Sequence, residues 1–83
     1  MRLVEEVKVL HAISPGKGQY GKRYYVYVFK VLNTGQTLIW STTSETYKFS
    51  KGKIYLISFD SDIDENGEIN DLIQKVSIIH ELD

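Results

Sequence analysis

Apolar and polar residues alternate over most of the chain, and this period of two residues predicts β-strands. We expect five strands, over residues 3–13, 23–32, 37–43, 53–60 and 72–82. The second is the strongest, because it is rich in Tyr, Val and Phe, which favour a pleated and half-buried surface. The pattern therefore predicts an all-β fold with little or no helix.

The segments between these strands carry turn residues. Residues 14–21 contain three glycines and the only proline of the chain, so they predict a loop. Residues 33–36 predict a tight turn in which Gly35 is available for a positive φ. Residues 44–52 form a nine-residue connection with room for at most one helical turn. Residues 61–71 form an acidic loop centred on Asn66-Gly67.

The last predicted strand has an alternative. Apolar residues also recur there at helical spacing, in the stripe Leu72, Ile73, Val76, Ile79 and His80. Asp71 would cap such a helix at its start. The β-branched residues Val76, Ile78 and Ile79 favour a strand instead.

Five short strands have to close on themselves, because a flat sheet of this size leaves unpaired edges and one bare apolar face. A small five-stranded Greek-key barrel meets this requirement. The order of a long strand, a glycine-rich loop, an aromatic strand and a tight turn, with Tyr-Lys-Phe-Ser-Lys-Gly-Lys-Ile-Tyr-Leu at 47–56, resembles the OB fold. The chain is most similar to the small single-stranded-DNA-binding OB proteins of phages and plasmids. SH3-like barrels, with a similar strand count, are the competing architecture.

Composition is typical of a small globular protein. The 83 residues are 42% hydrophobic and 25% charged, and they make one domain over residues 1–83. There is no cysteine, which excludes disulfides and thiolate chemistry and fits a reducing compartment. The longest apolar run, residues 24–29, is too short to cross a bilayer, and the first residues lack the apolar stretch of a signal peptide. We therefore expect a cytoplasmic protein without a membrane segment.

Charge is divided unevenly between the two parts of the chain, although the net charge is only −1. Residues 1–53 contain nine basic and three acidic residues, and residues 54–83 contain one basic and eight acidic residues. Such a division predicts one basic and one acidic surface on the same small body. The basic surface suits a polyanion, and the acidic one suits a basic protein partner.

The first predicted loop is basic. Lys17, Lys22 and Arg23 can reach phosphates there, and Tyr20 can lie against a base. The resemblance implies this role, because the same loop contacts the ligand in OB proteins. The alternative is a loop that only closes the hairpin.

The glycines of this loop also match G-x-G-x-x-G and most of the phosphate-loop motif, but both motifs need a helix after the loop, and a strand pattern follows here.

Aromatic residues are concentrated on the second strand. Tyr25, Tyr27 and Phe29 share one face there, while Tyr24, Val26, Val28 and Lys30 share the other, whose valines are natural core residues. We therefore expect the three rings to face outward beside Trp40 of the third strand, with Lys30 next to them. An exposed aromatic and basic surface of this kind stacks unpaired bases and contacts their backbone. The alternative places the rings inside the barrel and the valines on its surface.

The acidic loop has a second interpretation. The sequence Asp-Ile-Asp-Glu-Asn-Gly-Glu-Ile, at residues 62–69, follows the start of an EF-hand calcium loop, with Asp62, Asp64 and Asn66 as ligands. The twelfth position of that loop should be Glu and is Ile73, although Asp60 or Asp71 could complete a site. We prefer a hairpin turn at Asn-Gly, with no metal.

Nothing in the sequence predicts an enzyme. His11 and His80 are single, with no nucleophile pattern around them, and no cofactor motif is present. We expect sequence-tolerant binding of single-stranded nucleic acid in support of replication or recombination, by a homo-oligomer. The preference for DNA over RNA rests on the resemblance alone. The alternative function is a protein-interaction or oligomerising module that does not bind nucleic acid.

Overall fold

The structure, a computed structural model, describes residues 1–17, 23–43 and 49–83. For residues 14–17 and 23 it describes the backbone only. The described residues form five β-strands and no helix, which confirms the all-β prediction. The strands are β1 (Arg2–Lys17), β2 (Arg23–Val31), β3 (Thr37–Thr42), β4 (Ile54–Asp60) and β5 (Gln74–Glu81). No helix long and apolar enough for a membrane span is present in these residues.

All five strands belong to one sheet, in the order β3-β2-β1-β4-β5. Every strand pair is antiparallel. β1 is the central strand, and its first half pairs with β4 while its second half pairs with β2. It continues to Lys17, four residues beyond its predicted end, so the predicted loop at 14–21 begins too early. The final segment is a strand, and the helical alternative for it is wrong.

The two ends of the sheet meet at one point. Ile39 of β3 forms a parallel bridge to Leu72, just before β5. The Ile39 amide donates to the Asp71 carbonyl at 2.7 Å, and the Ile73 amide donates to the Ile39 carbonyl at 3.0 Å. The Gln36 side-chain amide also donates to Asp71, at 3.1 Å. The sheet is therefore strongly curved, but this bridge does not close it into a complete barrel.

A β-bulge in β1 changes which residues share a face. Val9 lies opposite Phe29, whereas His11 lies opposite Val28, so one residue is inserted at Leu10. Strict alternation along this strand predicts that Val7, Val9, His11 and Ile13 share one face. That expectation is wrong beyond the bulge, because the inserted residue moves His11 and Ile13 to the opposite face.

One apolar cluster fills the concave side of the sheet. It contains Val7, Val9, Tyr27, Phe29, Val31, Leu38, Trp40, Phe49, Tyr55, Ile57, Phe59, Ile73 and Val76. Large rings therefore dominate the core, and Val26 and Val28 of β2 lie partly buried on the convex side. Rings bury far more apolar area per residue than valines do, and a domain of this size needs that area.

Candidate nucleic-acid interface

The predicted stacking residues are packed against one another in the core. Tyr27 and Trp40 are stacked with their ring centroids 5.8 Å apart, and Phe49 meets both edge-on, at 5.1 and 6.0 Å. Tyr27, Phe29 and Trp40 are 4%, 0% and 6% exposed, and Tyr25 is half-buried at the end of the row. The expectation that these rings face outward is wrong, because Phe49 covers them and completes the core.

The predicted basic residues are described only in part. Lys30 is exposed on β2. Lys17 and Arg23 form the last pair of the β1–β2 ladder, but their side chains lie outside the described part. Tyr20 and Lys22 lie outside the described residues altogether.

The convex side of the sheet over β1, β2 and β3 forms the candidate interface, which we call the outer face. Cross-strand register defines its members, since directly opposite residues point to the same side. They are Lys8, His11, Ile13, Tyr24, Val26, Val28, Lys30, Thr37, Ile39 and Ser41. The outer face carries no carboxylate, and the whole of residues 7–44 contains none. Glu6, two residues before Lys8, marks its boundary.

Lys8 and Lys30 are the opposed lysines of the outer face, at the edge of the face that Glu6 adjoins. They are directly opposite each other on β1 and β2, and both are exposed. Neither forms an ion pair with a described residue. Two like charges at directly opposite positions destabilise a sheet, and a bound anion between them relieves the repulsion. The sequence analysis missed Lys8, because the interrupted alternation of β1 concealed its face.

Tyr24 is the aromatic residue of the outer face. It precedes Tyr25 in β2, so the two rings point to opposite sides of the sheet. Its cross-strand neighbour is Gly16, which has no side chain to cover the ring from that side. Tyr24 is half-buried and lies toward the Lys17–Arg23 end of the ladder. The sequence analysis assigned it to the interior with the valines, and this assignment is wrong.

The acidic loop forms a short hairpin. The Gly67 amide donates to the Asp64 carbonyl at 3.0 Å, and Gly67 has a φ of +81°, which glycine adopts without strain. One carboxylate oxygen of Asp64 accepts from the Asn66 and Glu68 amides, both at 2.9 Å. Asp64 thus stabilises the turn through its side chain. Within the described residues, no three acidic or histidine side chains are arranged to hold a metal ion, including those around Asp62.

Comparisons with known proteins identify no relative. No protein-family model matches the chain, and no curated protein or solved structure matches it either. The function is therefore argued from the residues and their geometry.

Proposed function

We propose that the protein binds single-stranded nucleic acid, with DNA as the preferred form, on the outer face. The observation that carries the proposal is the opposed pair Lys8 and Lys30, which forms no ion pair with a described residue and lies within the stretch 7–44 that contains no Asp or Glu. Lysines that lack an ionic partner attract a phosphate backbone, and the release of bound counterions adds to the affinity. The backbones of Lys17 and Arg23 form the last pair of the same ladder, and Lys22 precedes Arg23 in the sequence, so three more basic residues belong to this part of the chain.

A preference for unpaired strands follows from Tyr24. A base in a duplex has both faces covered by its neighbours, whereas an unpaired base can stack on an exposed ring. Stacking of this kind contributes about 1–3 kcal/mol per base. Since Tyr24 is the only Tyr, Phe or Trp among the described members of the outer face, we expect the phosphate contacts to dominate the affinity. No base-specific contact is included in the proposal, and no catalytic step.

The proposal includes a fold of the OB type, in which the curved sheet is a partly open barrel. The strand order β3-β2-β1-β4-β5 and the parallel bridge between Ile39 and Leu72 support it. In such a barrel the Ile39 and Ile73 amides exchange with solvent as slowly as amides of the central strand. Hydrogen exchange measured by NMR tests this, and fast exchange at both amides would contradict a barrel.

Fluorescence anisotropy with a labelled dT oligomer tests the function. We expect wild-type protein to bind at about 50 mM salt, and Tyr24→Ala to bind about 5- to 150-fold more weakly. Tyr24→Phe keeps the ring and should retain most of the affinity. Absence of binding by the wild-type protein would refute the function. Normal binding by Tyr24→Ala would refute the assignment of Tyr24.

A further inference from the structure

The middle of the outer face is aliphatic. Four side chains form this part, which we call the aliphatic floor; they are Ile13, Val26, Val28 and Ile39. Ile13 lies opposite Val26, and Val28 lies opposite Ile39, so the four side chains are neighbours on the same side of the sheet. Ile13 is 47% exposed, and the other three are half-buried. Part of this apolar surface is therefore in contact with solvent.

The aliphatic floor lies between the two kinds of contact that the proposed function assigns. The opposed lysines Lys8 and Lys30 are at one edge of it, and Tyr24 is at the other. Val28 is two residues from Lys30, and Val26 is two residues from Tyr24, so each is the next side chain on that face of β2. A nucleic-acid strand that contacts both the lysines and Tyr24 therefore crosses the floor.

The charge beside the floor indicates which occupant suits it. Lys8 and Lys30 form no ion pair with a described residue, and residues 7–44 contain no Asp or Glu. A second copy of the chain, packed with its own outer face against this one, would place two such lysine pairs in one interface, and like charges repel. A polyanion neutralises them instead. The floor therefore suits a nucleic-acid strand better than a second copy.

The chemistry of the floor favours one kind of base. Its four side chains are aliphatic, so they offer no hydrogen bond to the polar edge of a base. An apolar surface gains free energy when it removes another apolar group from water. Thymine carries such a group, its C5-methyl, which cytosine and uracil lack. The floor is therefore complementary to thymine.

We propose that the aliphatic floor contacts the C5-methyl group of thymine, and that the protein prefers thymine-rich single strands for this reason. The inference rests on the proposed function and goes beyond it, because it names the base that the outer face prefers and the residues that select it. The contact is apolar and includes no hydrogen bond to the base. Strands without thymine still bind through their phosphates and through Tyr24, but more weakly.

Fluorescence anisotropy at about 50 mM salt, with dT and dU oligomers of equal length, tests the preference. The two oligomers differ only in the C5-methyl group. We expect dT to bind at least about fourfold more tightly, which corresponds to the burial of one methyl group. Ile13→Thr and Val28→Thr should each lower this ratio of affinities, because each puts a hydroxyl group on the floor. The control Val4→Thr changes an exposed residue of β1 outside the floor and should keep the wild-type ratio.

The outcomes separate the two proposals. Absence of binding to both oligomers would refute the proposed function. Equal binding of dT and dU by the wild-type protein would refute the methyl contact and leave the proposed function intact. A preference for dT that both floor variants retain would also overturn the inference, because its source would then be stacking on Tyr24.

Two further measurements complete the test. Circular dichroism melts establish that the variants fold, and Ile13→Thr decides the question if Val28→Thr does not fold, because Ile13 is exposed. Sedimentation velocity of the protein without nucleic acid should show no association that depends on the floor. A dimer that Ile13→Thr dissociates would mean that a second copy covers the floor, and this result would overturn the inference.

Discussion

Lys8 and Lys30 face each other across the β1–β2 ladder, on the side of the sheet away from the core. Their side chains are exposed, and no described carboxylate pairs with either of them. This arrangement costs stability in the free protein, because the two ammonium groups repel each other. It also concentrates positive charge at one edge of the outer face, from which the face continues along β1 and β2 to Tyr24.

Replacement of one member of this pair should stabilise the free protein. We expect Lys30→Gln to raise the free energy of unfolding by about 0.2–1 kcal/mol at low salt. The gain should vanish near 1 M salt, where the repulsion is screened. Urea unfolding at both salt concentrations measures it. Lys75→Gln is the control, because Lys75 lies 3.9 Å from Asp60 and its removal should bring no gain. Equal effects of the two variants would contradict the repulsion.

Phe49 holds the aromatic core together. It makes edge-on contacts with four rings, at centroid distances of 5.1 Å to Tyr27, 4.9 Å to Phe29, 6.0 Å to Trp40 and 5.0 Å to Tyr55. Phe49→Ala should therefore lower the free energy of unfolding by about 3–5 kcal/mol.

Phe49→Leu retains more volume and should cost less than Phe49→Ala. Leu72→Ala, at an exposed position, should change the free energy of unfolding by no more than about 0.5 kcal/mol. Chemical denaturation compares the three variants. A cost below about 1 kcal/mol for Phe49→Ala would mean that Phe49 does not cover the rings.

Stability should fall at high pH through Tyr27. Burial raises the pKa of its hydroxyl above 10.0, the neighbouring Tyr25 and Tyr55 add to the rise, and a hydrogen bond to the Phe49 backbone opposes it. The unfolded chain therefore loses this proton first, and the free energy of unfolding falls as the pH rises above about 10. Below that pH the contribution is fully present.

Urea unfolding between about pH 8 and about pH 11 tests this pH dependence. The wild-type protein should lose more stability over that range than Tyr27→Phe, which has no hydroxyl to titrate. Parallel curves for the two proteins would show that the Tyr27 pKa is the same in the folded and unfolded states.

The fluorescence of Trp40 shows directly whether the aromatic rings of β2 and β3 point into the core. Because it is only 6% exposed, acrylamide should quench its fluorescence weakly in the folded protein and strongly after unfolding. Addition of dT oligomers should leave its emission nearly unchanged, since Tyr24, the proposed stacking residue, lies on the other side of the sheet. Strong quenching of folded Trp40 by acrylamide would contradict the packing of the core.

The sequence predicted the strands well because their signal is local. Alternation over 53–60 and the tight turn at 33–36 are visible in a single stretch of chain, and both are found. Which face of a strand points into the core, however, depends on residues that are distant in the sequence. Both sides of β2 are apolar, so the pattern alone does not distinguish the side of Tyr27 from the side of Val28. Phe49, distant in sequence, decides it by packing on the rings.

The candidate site was predicted only in part for the same reason. Lys30 was expected beside the rings of β2; it is exposed, but it lies on the opposite side of the strand from Tyr27 and Phe29. Lys8 and Tyr24 were missed, because their faces depend on the bulge at Leu10 and on the burial of the opposite side of β2. A bulge adds one residue to one strand without a strong sequence signal when that residue is not glycine.

The salt dependence of dT binding tests the central claim most directly. For single strands, each phosphate neutralised contributes about −0.7 to the slope of log K against log salt concentration. Removal of both charges in Lys8→Gln/Lys30→Gln should therefore make the slope less negative by about 1.4 and weaken binding at low salt. The control Lys75→Gln should keep the wild-type slope. If the double variant also keeps the wild-type slope, the nucleic acid does not lie across Lys8 and Lys30, and the outer face is not its binding site.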